Sequence, residues 1–109
     1  MSNAQQSYEE LEFDESGLLK EPDVWNEEVA QMIADQDEIG TLTEDHWKMI
    51  QGIRRYYHKY GVPPMEGRLC MVRGMDEISV HSLFKNCLMV WRIAGLPDPG
   101  EEAKAYMNK

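Results

Sequence analysis

Residues 42–64 leave the chain little choice: they must hold one helix with well-marked ends. Thr43 can accept hydrogen bonds from the free N–H groups of a first turn. Glu44 and Asp45 suit the positive end of the helix dipole. Leu42 and Trp47 stand at the two positions of a hydrophobic staple. Trp47, Ile50, Ile53, Tyr57 and Tyr60 then mark an inward stripe at helical spacing. Gly61 ends the helix, and Pro63-Pro64 blocks any continuation. Whatever else forms must pack against this stripe.

The flanking segments follow the same logic. Trp25, Val29, Met32, Ile33 and Gln36 predict a second amphipathic helix, with Asp23 as its cap and Gly40 as its stop. Residues 65–75 are short and apolar and predict another helix ending near Gly74. Ser79 or Ser82 can cap a turn around residues 80–84. Residues 86–94 predict a last core helix burying Leu88, Val90, Trp91 and Ile93, with Gly95 as the residue beyond its end. Before the helices, Leu11-Glu12-Phe13-Asp14 alternates apolar and acidic residues, and Glu15-Ser16-Gly17 turns the chain into Leu18-Leu19. That pattern predicts a short β-hairpin. Leu96-Pro97-Asp98-Pro99-Gly100 can be neither helical nor sheet-interior, and predicts an extended arm leading to a polar tail. The expected fold is α+β: a mostly helical array of about five helices, a small N-terminal β-hairpin or meander, and an extended C-terminal arm. Alternating βα units are absent, which excludes a doubly wound sheet. The expected organisation is a flexible N-terminus (1–10), a single domain (11–95), and an arm with tail (96–109).

Composition narrows the function classes. The chain has 109 residues and a net charge of −9, enough for one domain with its own core. Residues 1–45 carry 14 acids against one base; residues 46–109 carry 6 acids against 10 bases. The −13 and +4 halves can neutralise each other across the fold, or the basic part can dock an acidic partner or a phosphate backbone. Arg54, Arg55, Lys59, Arg68 and Arg73 would form that basic patch, and two consecutive helices there could mimic a helix-turn-helix. No run is apolar enough for a membrane span, and the N-terminus has no secretory pattern, so cytoplasmic residence is the expectation. No phosphate loop, zinc-protease or nucleophile-elbow motif occurs. His46, His58 and His81 lack the neighbours of a metal site. The expectation is no enzyme activity, no cofactor and no metal. Of the two cysteines, Cys70 lies on an apolar segment and reads as buried. Cys87 lies beside Lys85 near a helix start, where a thiolate could be favoured, and it is the only candidate thiol carrier.

Several local patterns, taken in order, resemble the DsrC/TusE family, which includes the gamma subunit of dissimilatory sulfite reductase. They are Phe13-Asp14-Glu15-Ser16-Gly17-Leu18-Leu19, Trp25-Asn26-Glu27-Glu28-Val29-Ala30, Leu42-Thr43-Glu44-Asp45-His46-Trp47 and Arg54-Arg55-Tyr56-Tyr57. Pro63-Pro64-Met65, Arg68-Leu69, Leu83-Phe84 and Arg92-Ile93-Ala94-Gly95-Leu96-Pro97-Asp98-Pro99 complete the series. The resemblance implies a small sulfur-trafficking protein with a helical array beside a small β-meander. It implies a C-terminal arm that projects into partners and carries persulfide sulfur on a cysteine near its end. Here Glu102 stands near the position of that cysteine, and Trp91 fills the place of a second one found in DsrC proper. The usual glycine-proline-lysine segment after Leu-Phe is replaced by Lys85-Asn86-Cys87-Leu88.

The chain is therefore similar to the cysteine-free relatives that act as regulators. The resemblance implies a protein that binds sulfur-relay or sulfite reductase proteins through a docking arm made of Arg92, Ile93, Ala94, Gly95, Leu96, Pro97 and Pro99. A divergent persulfide carrier using Cys87 is the first alternative, and a nucleic-acid-binding regulator is the second.

Overall fold

A seven-residue helix with a single charged side chain lies at the centre of the molecule. This helix, α4 (Cys87–Ile93), buries Cys87, Val90, Trp91 and Ile93, and Arg92 is its one charge. A helix apolar on nearly every face has no stable place at a surface, so its neighbours must surround it. The computed structural model describes residues 8–62, 65–66, 69–70 and 77–107. In it, α4 packs against α1 (Glu27–Gln36), α2 (Glu44–Tyr60), α3 (Glu77–Phe84) and α5 (Glu101–Met107). Two short strands, β1 (Met65–Glu66) and β2 (Leu69–Cys70), pair antiparallel with Met65 opposite Cys70. The core joins Ile33 of α1, Ile50 and Ile53 of α2, Phe84 of α3, Trp91 of α4 and Met107 of α5, none more than 1% exposed.

The expected start of α2 is present, with one addition. Thr43 caps the helix and its own backbone N–H donates to His46 Nδ1 at 3.0 Å. A backbone N–H can only donate, so Nδ1 accepts. His46 Nε2 lies 3.2 Å from the Leu83 carbonyl oxygen, which can only accept, so Nε2 carries the proton. The ring also meets Phe84 edge-on at 5.0 Å. His46 thus ties the first turn of α2 to the end of α3, and it is buried for that reason. The cap of α1 is Asn26, whose Oδ1 accepts from the Val29 N–H at 2.9 Å; Asp23, the expected cap, lies in a 3₁₀ turn at Pro22–Val24.

Three expectations are corrected. The N-terminal β-hairpin does not form: residues 11–20 contain one isolated bridge, Phe13 to Leu19, and no strand. Asp14 Oδ1 draws the N–H groups of Ser16 and Leu18 into a tight loop. The adjacent Leu18 and Leu19 are both buried, which a strand with one wet face cannot do, because its side chains alternate. The helix expected over residues 65–75 is replaced at 65–66 and 69–70 by β1 and β2; the rest of that stretch lies outside the described residues. The extended arm is short. Gly100, at φ 103°, ends it, and the tail coils into α5, whose Met107 is buried.

Lys85, between α3 and α4, sits at φ 76°. The left-handed region costs a residue with a Cβ about 1–2 kcal/mol, against about 0.5–1 kcal/mol of extra chain entropy lost by glycine. Lys85→Gly is expected to raise stability by about 0.5 kcal/mol, seen as a higher urea midpoint at unchanged slope. A lower midpoint would show that the bond from Lys85 Nζ to the Asp37 carbonyl (3.2 Å) matters more than the backbone.

Candidate functional site

The last carbonyls of any helix lack partners within it. At the end of α4, backbone N–H groups meet the carbonyls of Val90, Trp91 and Arg92, and side chains from far along the chain take those of Ile93 and Ala94. Trp25 Nε1 donates to the Ile93 carbonyl at 2.8 Å, and Arg54 Nη1 donates to the Ala94 carbonyl at 2.7 Å. The Arg54 guanidinium also lies over the Trp25 ring, 3.9 Å from its centroid, a cation–π stack. Burial lowers the Arg54 pKa, yet arginine remains charged. Trp91 Nε1 donates to the Pro97 carbonyl at 2.6 Å, and its ring meets Tyr57 edge-on. The chain leaving α4 is thus held at three carbonyls, those of Ile93, Ala94 and Pro97.

Gly95 is what allows so close a fit. It sits at φ 70°, and a Cβ there would lie 2.1 Å from Trp25 Cδ1. No other residue fits both the backbone and the indole.

Arg92 joins this junction to the N-terminal loop. Its Nε donates to Asp37 Oδ2 at 2.9 Å, Nη2 donates to the Tyr8 hydroxyl at 3.0 Å, and Nη1 donates to the Gly17 carbonyl. The guanidinium also lies over Phe13. Burial pulls its pKa down, but hydrogen bonds to Asp37 and Tyr8 outweigh that and raise it. The tight loop at residues 13–19 is therefore a seat for α4.

A second clasp holds the tail. Lys104 Nζ donates to Asp98 Oδ2 at 2.8 Å, to Glu101 Oε1 at 2.7 Å and to Ser16 Oγ at 2.8 Å. The Lys104 bond, with the Gly100 N–H, holds the Asp98 carboxyl below the usual carboxylate range. Lys104 is correspondingly raised, first by Asp98 and then by Glu101.

The expected docking-arm residues thus fall into two groups. Ile93, Ala94, Gly95 and Leu96 are buried and Arg92 is pinned, while Pro97 and Pro99 are half-buried. Cys87 is 5% exposed and disulfide-bonded, an environment unlike that of a reactive, exposed thiolate. Glu102 is exposed in the first turn of α5. Arg54, Arg55 and Lys59 lie on α2; Arg68 and Arg73 lie outside the described residues. No cluster of metal-ligating side chains and no helix long and apolar enough to cross a membrane occurs among the described residues. Trp25, Asp37, Ser16 and Lys104 were not singled out by sequence as parts of this junction. The bonds that tie Trp25 to Ile93, Asp37 to Arg92 and Ser16 to Lys104 span 55 to 88 residues, beyond the reach of any local pattern.

Such a structure defines a small helical scaffold whose C-terminal strap is bound at both ends. A family model described as DsrC-like protein matches residues 5–101. The chain is 43% identical over 100 residues to the sulfurtransferase TusE of Photorhabdus laumondii, covering 84% of this chain and 89% of that protein. It is 33% identical over 95 residues to the gamma subunit of the dissimilatory-type sulfite reductase of Nitratidesulfovibrio vulgaris, covering 82% and 87%. The crystal structure of the oxidized gamma subunit (DsrC) from Archaeoglobus fulgidus superposes with a TM-score of 0.66 at 34% identity, covering 84% and 90%. The chain belongs to the DsrC-like family.

The sign of the tail's pH dependence follows from its two charges. A carboxyl depressed in the docked state contributes stability above its free pKa, near 4, and loses it as pH falls through the docked value. A raised lysine contributes below its free pKa and loses it only at strongly alkaline pH. The tail is therefore expected to stay docked at neutral pH and to loosen below about pH 4. The Met107 methyl resonance, followed by NMR, should move toward its free-chain position there. Asp98→Asn should loosen the tail at neutral pH and flatten the acid transition; an unchanged titration would contradict the clasp.

Proposed function

We propose that this chain is a sulfur-relay protein of the DsrC/TusE kind that binds other relay proteins without carrying sulfur itself. The observation that carries this reading is the chemistry at the end of the strap. Glu102 stands near the place where the family resemblance sets the carrier cysteine, and a carboxylate cannot form a persulfide. Its neighbour Glu101 adds a second negative charge that repels anionic sulfur species. Cys87, buried and disulfide-bonded, supports the same reading, because sulfur transfer needs an accessible thiolate.

The relatives are named sulfurtransferases and sulfite reductase gamma subunits, and a similar chain occurs in the crystal structure of dissimilatory sulfite reductase I (TM-score 0.67, 28% identity). The partners proposed here come from those systems: a sulfurtransferase or a sulfite reductase. The protein would be non-catalytic and cytoplasmic and would modulate the relay by occupying a carrier's docking place. Its contact surface is the ridge at residues 97–100 with the exposed first turn of α5, not the buried residues before it.

Intact-protein mass spectrometry after incubation with a persulfide donor tests the reading. No gain of sulfur is expected, while the immobilised protein retains a loaded sulfurtransferase or a sulfite reductase. A gain of one sulfur that disappears in Cys87→Ser would overturn it, as would failure to retain either protein.

A further inference from the structure

A groove of about 700 Å³ opens along one face of α2, on the outer side of the junction described above. Its walls include Trp25 and Trp47, both partly exposed, and its rim carries the exposed Arg55, His58 and Lys59. Glu27 is the one acid in its lining. Arg55 forms no ion pair among the described residues, and the Trp47 indole N–H has no hydrogen-bond partner among them. Tyr60 and Val62, next in the chain after the groove's last lining residue, are exposed, and the Lys59 ammonium lies 5.2 Å from the Tyr60 ring centroid. Two indoles and a row of unneutralised cations therefore share one trough on a chain that is otherwise strongly acidic.

We propose that this groove docks an acidic peptide segment of a partner protein, with one apolar side chain seated between Trp25 and Trp47 and carboxylates on Arg55 and Lys59. Charge complementarity selects the occupant. From Trp47 to Lys59 the helix rises about 18 Å, the reach of about five or six extended residues. A segment of that length can bring one carboxylate to each of the two free cations, Arg55 and Lys59. A nucleic-acid strand would bring a phosphate at every step and meet only those few cations, and the net charge of −9 repels it at long range. Aromatic walls with a basic rim also fit the enrichment of Trp and Arg at docking hot spots. Arg54 is not among the free cations, because the Ala94 carbonyl and the Trp25 ring already hold it. The inference rests on the reading of the chain as a partner-binding protein, but it concerns a different face from the strap.

The probe is a synthetic heptapeptide alternating glutamate with leucine and phenylalanine, titrated against the full chain by tryptophan fluorescence. A saturable change is expected. Raising the salt concentration should weaken it, and the double variant Arg55→Glu, Lys59→Glu should weaken it by about tenfold or more. Both positions are exposed, so far-ultraviolet circular dichroism should be unchanged; the milder Arg55→Gln serves if the double variant is not folded. No saturable change, an affinity indifferent to these substitutions, or tighter binding of a ten-nucleotide oligothymidylate would each overturn the proposal. None of these results bears on sulfur uptake, which is read separately by mass.

Discussion

The structure depends on how the end of α4 is closed. This helix is too apolar to leave the interior, so its last carbonyls emerge among side chains and not in water. An unmet buried carbonyl costs about 1–3 kcal/mol, and two of them would remove much of a small domain's stability. The Trp25 indole and the Arg54 guanidinium meet them directly, at 2.8 and 2.7 Å. Their stacking on each other fixes both donors, and Gly95 is the only residue small enough to pass beneath the indole. Arg92 then uses the other side of the same helix to seat the N-terminal loop. Sequence stretches that are far apart in the chain thus converge on one short helix.

This convergence separates what the sequence disclosed from what it hid. The cap at Thr43 and the stops at Gly61 and Gly95 were legible, because each depends on neighbours within a turn. The family resemblance was legible as an ordered set of local motifs. The N-terminal hairpin was misread because its alternation covers only a few residues, and the Asp14 side chain outcompeted the ladder for the backbone N–H groups. The tail was read only as polar, because residues 101–109 are rich in charge and no local pattern fixed their conformation. Lys104 carries that charge inward to Asp98 and Ser16, and Met107 supplies the buried contact. Arg92-Ile93-Ala94-Gly95-Leu96 was read as a surface for partners, whereas most of it forms the packed joint from which the strap leaves.

On the proposed reading, docking is separated from chemistry. In a carrier, an arm must be loose enough to swing a thiol between two sites. Here the segment is bound at its base by α4's closure and at its end by α5. A protein of this shape can still present the family's surface to the family's partners. On the proposed reading it would do so as a rigid body, without the entropy loss of ordering a mobile arm.

Amide hydrogen exchange measures this closure most directly. The N–H groups of Ala94, Gly95 and Leu96 donate to the carbonyls of Val90, Arg92 and Trp91. With the joint closed, they are expected to exchange at neutral pH as slowly as the core amides of Ile50 and Ile53 in α2, that is, only through global unfolding. Exchange of Ala94, Gly95 and Leu96 at free-chain rates, while Ile50 and Ile53 stay protected, would contradict the account and restore a swinging arm.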